Sequence, residues 1–229
     1  MQLALPLAFD RQFSFKNYYA SQGQFITESL MSFVNHNDES LVGIWGGRDS
    51  GKSHLANACA GYARQQSERF QLYDGHQLIA CDPQQFSGFT SGELLLIDNL
   101  DAMCGHRQWE QKFYQIINSC KHGELSLLFT LSAKPQLLNC VLPDFQSRLC
   151  WGLLLRLPDL TDTEIGEIVQ YRASLLGIQL SSEVIAYLLA HYSRSLSGQM
   201  AILRKLDKQS LAAKKRVTIP FIKQTLARN

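Results

Sequence analysis

The sequence predicts an α/β body with a mainly parallel sheet covered by helices on both faces, followed by a small all-helical domain. Three observations carry this. Short apolar runs at residues 41–45, 70–73, 94–97, 125–131 and 153–157 have the length of buried strands, which makes the expected sheet five-stranded. Segments of helical composition lie between several of them, at residues 52–66 and 109–120. In the second, Trp109, Phe113, Ile116 and Ile117 recur at spacings of three and four and so share one face. The character then changes after Pro158, where apolar strands give way to helical periodicity alone.

Taken in order, residues 1–10 read as an extended arm, because Pro6 interrupts a short apolar run. Residues 29–35 suggest a helix end before the polar turn 36–40. The strand at 41–45 leads into a loop at 46–51 and then a helix. Beyond Pro158, Thr161-Asp162-Thr163-Glu164 has capping-box spacing, and Gly177 is a natural stop for the helix it starts. Residues 182–191, 196–213 and 220–227 read as three further helices. The expected organisation is an arm at 1–10, an α/β domain at 11–158 and a helical lid at 159–229.

Bulk properties narrow the function classes. The chain has 229 residues, is 45% hydrophobic and carries 22 basic against 20 acidic residues, a net charge of +2. That suffices for a sizeable core and excludes a whole-protein basic field for nucleic acid. No apolar run approaches the length of a membrane span, and the N-terminus lacks the pattern of a signal peptide. Six scattered cysteines, with no C-x-x-C pair, suggest reduced and mostly buried thiols.

Gly46-Gly47-Arg48-Asp49-Ser50-Gly51-Lys52-Ser53 fits the phosphate-loop spacing G-x-x-x-x-G-K-[ST]. Glycines let the backbone turn its N–H groups inward, and the following helix presents its positive end to the same anion. Lys52 supplies a point charge for the outer phosphates, and Ser53 supplies a hydroxyl for Mg²⁺. A strand before and a helix after oppose the alternative of a chance glycine-rich turn. Asp49 is unusual, since a carboxylate there opposes a phosphate, and weaker triphosphate binding is expected than with glycine. At 94–98, four apolar residues end in Asp98, a second candidate for Mg²⁺. Asn99 stands where many such ATPases carry a second acid. An amide orients water but does not take its proton, so slow intrinsic hydrolysis is expected.

With these parts in place, the chain resembles the AAA+ family of DnaA-related replication proteins. Gly46-Gly47…Gly51-Lys52-Ser53-His54-Leu55 is similar to the initiator's G-G-x-G-x-G-K-T-H-L, so His54 joins the nucleotide segment by resemblance, although a histidine there is more often a packing or surface residue than a catalyst. Ile97-Asp98-Asn99-Leu100, followed by Gly105 and Phe113, resembles the segment after the family's second acidic strand. Thr130-Leu131-Ser132 sits where the family carries its first sensor, with Ser132 as the candidate. Ser147-Arg148-Leu149-Cys150-Trp151-Gly152 resembles S-R-x-x-W-G, which implies that Arg148 is a finger acting in trans on a neighbour's nucleotide. Arg194-Ser195-Leu196-Ser197-Gly198 resembles R-E-L-E-G, which implies that Arg194 is a second sensor. The competing readings are an Arg148–Asp144 surface pair and a solvated or capping Arg194.

The likeness runs from about Phe13 onward, with no room for a C-terminal helix-turn-helix domain or an N-terminal oligomerisation domain. Gln2-Leu3-Ala4-Leu5-Pro6-Leu7 instead looks like a peptide that binds the DNA polymerase sliding clamp (β subunit), with Gln2, Leu3, Leu5, Pro6 and Leu7 as its contacts. The resemblance implies a negative regulator of replication initiation. Such a protein holds ADP, ATP or another nucleoside diphosphate with Mg²⁺ and, when tethered to the loaded clamp, stimulates ATP hydrolysis by DnaA. It implies a cytoplasmic, nucleoid-associated protein with no membrane partner and only weak or indirect DNA contact. A homodimer is one of the oligomeric states left open. The alternatives are an autonomous P-loop ATPase, which Asn99 opposes, and a helicase-loader-like module for single-stranded DNA. Phe15, Tyr18 and Tyr19 are candidate neighbours of the base, although aromatics there are more often core. Lys214-Lys215-Arg216 is usually a solvated face.

Overall fold

The structure is a computed structural model that describes residues 12–19, 23–36, 39–213 and 215–226. The proposed clamp peptide, Gln2 to Leu7, and Lys214 lie outside the described residues. The chain divides into two compact units. One reaches Pro158, and the other begins at Asp159 and takes in Tyr19.

The first unit holds five strands: β1 (Leu41–Gly46), β2 (Phe70–Asp74), β3 (Glu93–Asp98), β4 (Leu125–Leu131) and β5 (Leu153–Leu157). They form one sheet in the order β2-β3-β4-β1-β5, with every neighbouring pair parallel. Helix α1 (Gly23–Val34) precedes β1, and helices such as α2 (Lys52–Gln65) between β1 and β2 and α4 (Arg107–Lys121) between β3 and β4 supply the crossovers that parallel strands need. Two short helices, α3 (Gly75–Leu78) after β2 and α5 (Pro143–Arg148) before β5, had no periodic signal because each is too short to show one. Their starts are nonetheless chemical. Asp74 accepts the His76 N–H at 3.1 Å, and Pro143 opens α5 where a missing N–H costs nothing.

Alternation within the strands splits the core in two. Leu95, Ile97, Leu127, Phe129 and Leu131 face Trp109, Phe113 and Ile117 of α4 and Phe145 of α5. Val42, Ile44, Leu94, Leu96 and Leu128 face Leu55, Ala56 and Cys59 of α2 and Leu30 and Phe33 of α1. Because both sheet faces are covered, the strands read as continuous apolar runs, which is why the sequence revealed them.

The second unit contains α6 (Asp162–Leu175), α7 (Ser182–His191), α8 (Leu196–Ala213) and α9 (Ile219–Leu226) around its own core of Val169, Ala173, Leu188, Leu203, Leu206 and Ile222. The capping box forms as expected: Glu164 N–H donates to Thr161 Oγ1 at 3.2 Å, and Thr161 N–H donates to Glu164 Oε2 at 2.8 Å. Among the described residues, no helix is long and apolar enough to cross a membrane. The cysteines differ from expectation. Cys59 and Cys120 are buried, whereas Cys81, Cys104, Cys140 and Cys150 are partly accessible.

Gly152 turns the chain from α5 into β5 at φ +68°, and a Cβ there would lie 2.1 Å from the Leu41 carbonyl oxygen. Gly152→Ala is therefore expected to destabilise the protein by about 2 kcal/mol or more, read as a lower midpoint in denaturant. An unchanged midpoint would mean that the turn relaxes freely.

Candidate nucleotide-binding site

The phosphate loop runs from the end of β1 to the start of α2, at the carboxyl edge of the sheet. Gly46 ends β1 so close to β5 that a Cβ would lie 2.6 Å from the Leu157 carbonyl oxygen and 2.8 Å from Ser50 Oγ. Asp49 takes the left-handed region at φ 61°, which Asp tolerates better than most residues. Gly51 follows at φ 100° and serves as the residue before the first turn of α2. Lys52 is 8% exposed, and its ammonium donates to the carbonyls of Gly46 at 2.9 Å and Gly47 at 2.5 Å. The Ser50 hydroxyl is buried with no hydrogen-bond partner among the described residues. The first turn of α2 adds backbone N–H groups that lack intrahelical acceptors. A buried ammonium, an orphaned hydroxyl and a helix N-terminus in one loop fit a phosphate group. Arg48 and Ser53 are both exposed.

His54 is occupied in packing. Its Nε2 is 3.0 Å from the Ser14 carbonyl, and its ring lies 4.9 Å from that of Phe13 and 5.3 Å from that of Tyr18. These contacts pin residues 13–18 against the start of α2. Tyr18 also abuts Gly51, where an added Cβ would be 3.1 Å from its ring, and burial pushes its phenol up to about 12. Phe15 packs edge-on to Tyr62 with centroids 5.8 Å apart, while Tyr19 belongs to the other unit and lies against Tyr171.

Asp98 closes β3 and is 9% exposed. Its Oδ1 accepts the Thr130 hydroxyl at 2.6 Å, and Thr130 Oγ1 in turn accepts the Asn99 N–H at 2.8 Å. Asn99 sits at φ 58°, a region in which Asn is enriched, and its amide donates to Asp74 Oδ1 at 3.2 Å. Backbone geometry is thus a second reason for an amide at this position. Within the sensor segment Thr130-Leu131-Ser132, the expected sensor is Ser132. Ser132 is exposed and bonds through its hydroxyl and its N–H to Asp101, whereas Thr130 is fully buried against Asp98. The signal for Thr130 was available: a threonine near the end of a wholly buried strand whose central residues, 127–129, are all apolar.

Arg148 ends α5 and is half-buried. Its guanidinium lies 3.6 Å from the centroid of the Trp151 ring, and Nη2 donates to the Tyr114 hydroxyl at 3.2 Å. That hydrogen bond pulls the Tyr114 phenol below the ordinary tyrosine range. The expected alternative, an ion pair with Asp144, is not formed among the described residues, and Nε is buried without a partner among them. Lys121 Nζ also lies over Trp151, 4.4 Å from the ring centroid. Aromatic faces, not carboxylates, therefore hold this arginine. In the helical unit, Arg194 is 72% exposed and 3.7 Å from Asp162, an exposed pair of small energetic weight. The nearby segment is fixed by the buried Gln199, whose Nε2 donates to the carbonyls of Leu188 at 3.3 Å and Ser193 at 2.5 Å.

The loop geometry generates a test of its unusual acid. Asp49→Gly relieves a left-handed non-glycine residue and removes a carboxylate opposed to the phosphates. Calorimetric titration should show several-fold tighter binding of ATP. Equal or weaker affinity would mean that the carboxylate already points clear of the ligand.

Comparison with known proteins agrees with this geometry. Residues 162–226 match the family model described as Hda, lid domain. Domain III of the Thermotoga maritima replication initiation protein DnaA is similar in structure, with a TM-score of 0.79 at 16% identity over 96% of this chain and 98% of that one. AMPPCP-bound DnaA from Aquifex aeolicus gives a TM-score of 0.70 at 18% identity, over 90% of this chain and 69% of that one. The Thermotoga maritima RuvB Holliday junction branch migration motor gives 0.64 at 15% identity, over 93% and 73%. The chain thus shares the fold of these structures, and its residues 162–226 match the Hda lid domain.

Proposed function

We propose that this protein is a nucleotide-holding negative regulator of replication initiation that acts on DnaA through Arg148. The observation that carries the proposal is the pairing of a complete phosphate loop with a half-buried arginine that no carboxylate neutralises. The Hda-type lid supports DnaA as the partner. The AMPPCP in the similar DnaA structure supports a nucleotide in the loop, with ADP, ATP or another diphosphate as the occupant.

The loop N–H groups, Lys52 and the N-terminus of α2 bind the phosphates. Ser53 and Asp98 would hold Mg²⁺, which would neutralise phosphate charge, and Thr130 orients Asp98 through its hydroxyl. Asn99 has no useful basicity and its amide is engaged with Asp74, so intrinsic turnover is slow. Arg148 acts outward: placed beside a neighbour's γ-phosphate, a guanidinium stabilises charge that develops in the transition state. Leaving its present position costs one hydrogen bond to Tyr114 and the stacking on Trp151, with no buried ion pair to break. Arg194, exposed on the lid and weakly paired, serves as the second sensor. Gln2, Leu5 and Leu7 anchor the N-terminal arm on the sliding clamp, so that only protein recruited to loaded DNA acts.

The test combines this protein, DNA-loaded clamp and ATP-bound DnaA and follows phosphate release. Arg148→Ala should lower the stimulation by about 10³-fold or more, the range that a missing finger costs, and leave nucleotide affinity unchanged. Gln2→Ala with Leu5→Ala should abolish clamp capture and leave the fold intact. Stimulation that survives Arg148→Ala would remove the finger from the mechanism, and rapid hydrolysis by the protein alone would favour an autonomous ATPase.

A further inference from the structure

Away from the phosphate loop, the first unit holds two thiols in contact. Cys104 follows the short helix that begins after β3, and Cys140 lies in the segment leading into α5. Their sulfurs are 3.3 Å apart, although the residues are distant in sequence, and both are partly accessible.

The contact is built from beneath by Glu110, a fully buried residue in the first turn of α4. Its Oε1 accepts the N–H of Gly105 at 2.8 Å and that of Val141 at 2.9 Å, the residues that directly follow the two cysteines. Its Oε2 accepts the Leu142 N–H at 2.6 Å. One carboxylate thus clamps both cysteine-bearing segments, and a carboxylate with three N–H donors is a strong, desolvated anchor. The other four cysteines have no such partner: Cys59 and Cys120 are buried, Cys81 bonds to the Gln77 carbonyl, and Cys150 bonds to the Gln146 carbonyl and the Gln136 amide.

We propose that Cys104 and Cys140 form a two-electron redox site that closes to a disulfide in the presence of peroxide. The sulfurs need approach by only about 1.3 Å to reach disulfide bonding distance. The two thiols are asymmetric. The hydrogen bond between them raises Cys104 and lowers Cys140, so the steps are written with Cys140 as the attacking thiolate. Cys140 Sγ attacks one peroxide oxygen; the O–O bond breaks, hydroxide leaves, and Cys140 becomes a sulfenic acid. Cys104 Sγ then attacks the Cys140 sulfur. The S–S bond forms, the S–O bond breaks, and the departing hydroxide takes the Cys104 proton as water. The sum is two thiols and one hydrogen peroxide giving one disulfide and two waters. The bond staples the segment after β3 to the segment that leads into the helix of Arg148.

The test treats the full chain with hydrogen peroxide, quenches with an alkylating agent, and maps peptides by mass. The expected result is loss of two hydrogens, a single Cys104–Cys140 linked peptide, and full reversal by dithiothreitol. Cys81 and Cys150 should appear in no intramolecular disulfide, since no resolving thiol stands beside either. Cys104→Ser should stop Cys140 at a sulfenic acid that dimedone traps, and Cys140→Ser should leave Cys104 no faster than Cys81. The wild-type peptide map is decisive without either variant. Recovery of both cysteines as alkylated thiols after Cys81 is oxidised, or linkage of either to another cysteine, would overturn the proposal.

Discussion

A parallel sheet covered on both faces leaves its strand ends as the place where polar groups can meet, and the site of this protein follows from that constraint. Within β3 and β4 the side chains alternate into two apolar layers, and a polar group there would be costly. At the carboxyl edge the rule relaxes. Gly46 ends β1, Asp74 ends β2, Asp98 ends β3, and Thr130 stands next to the end of β4. Register brings Asp74 level with Asp98, and the bonds among Asp98, Thr130, Asn99 and Asp74 leave little freedom at this edge. The phosphate loop grows from the same edge, and its lysine folds onto the loop's own carbonyls.

Helix α4 carries a second layer of organisation. Its apolar face packs under the sheet, as its periodicity predicts. Glu110 and Tyr114, one turn apart, share another face. Glu110 gathers the backbone of two segments, and Tyr114 holds the guanidinium of Arg148 against Trp151. One helix therefore sets the lead into α5 and the position of the residue at its end. An arginine stacked on aromatic faces keeps its charge while losing much of its rotamer freedom, which suits the outward role proposed for Arg148.

Much of this was legible in the sequence, for reasons specific to each element. The five strands were visible because burial on both faces makes them uniformly apolar, and β4 and β5 fall on the expected residues. The lid start was visible because a capping box is a local arrangement. The phosphate loop was visible because its residues are contiguous, and the left-handed geometry at Asp49 follows from side-chain chemistry. Less legible were α3 and α5, too short for periodicity, and the true exposure of the cysteines. His54 belongs to the motif by resemblance and also packs, as a histidine there commonly does: its Nε2 meets the Ser14 carbonyl and its ring neighbours are Phe13 and Tyr18.

The sequence by itself determined the α/β body, the helical lid, the phosphate loop and the acid that ends β3, because each depends on residues close together in the chain. Only the tertiary structure decided the strand order, the choice of Thr130 as the partner of Asp98, the aromatic seat of Arg148, and the meeting of Cys104 with Cys140 over Glu110. Each of these joins groups 30 or more residues apart or on different elements, and periodicity and spacing report only what neighbours along the chain share.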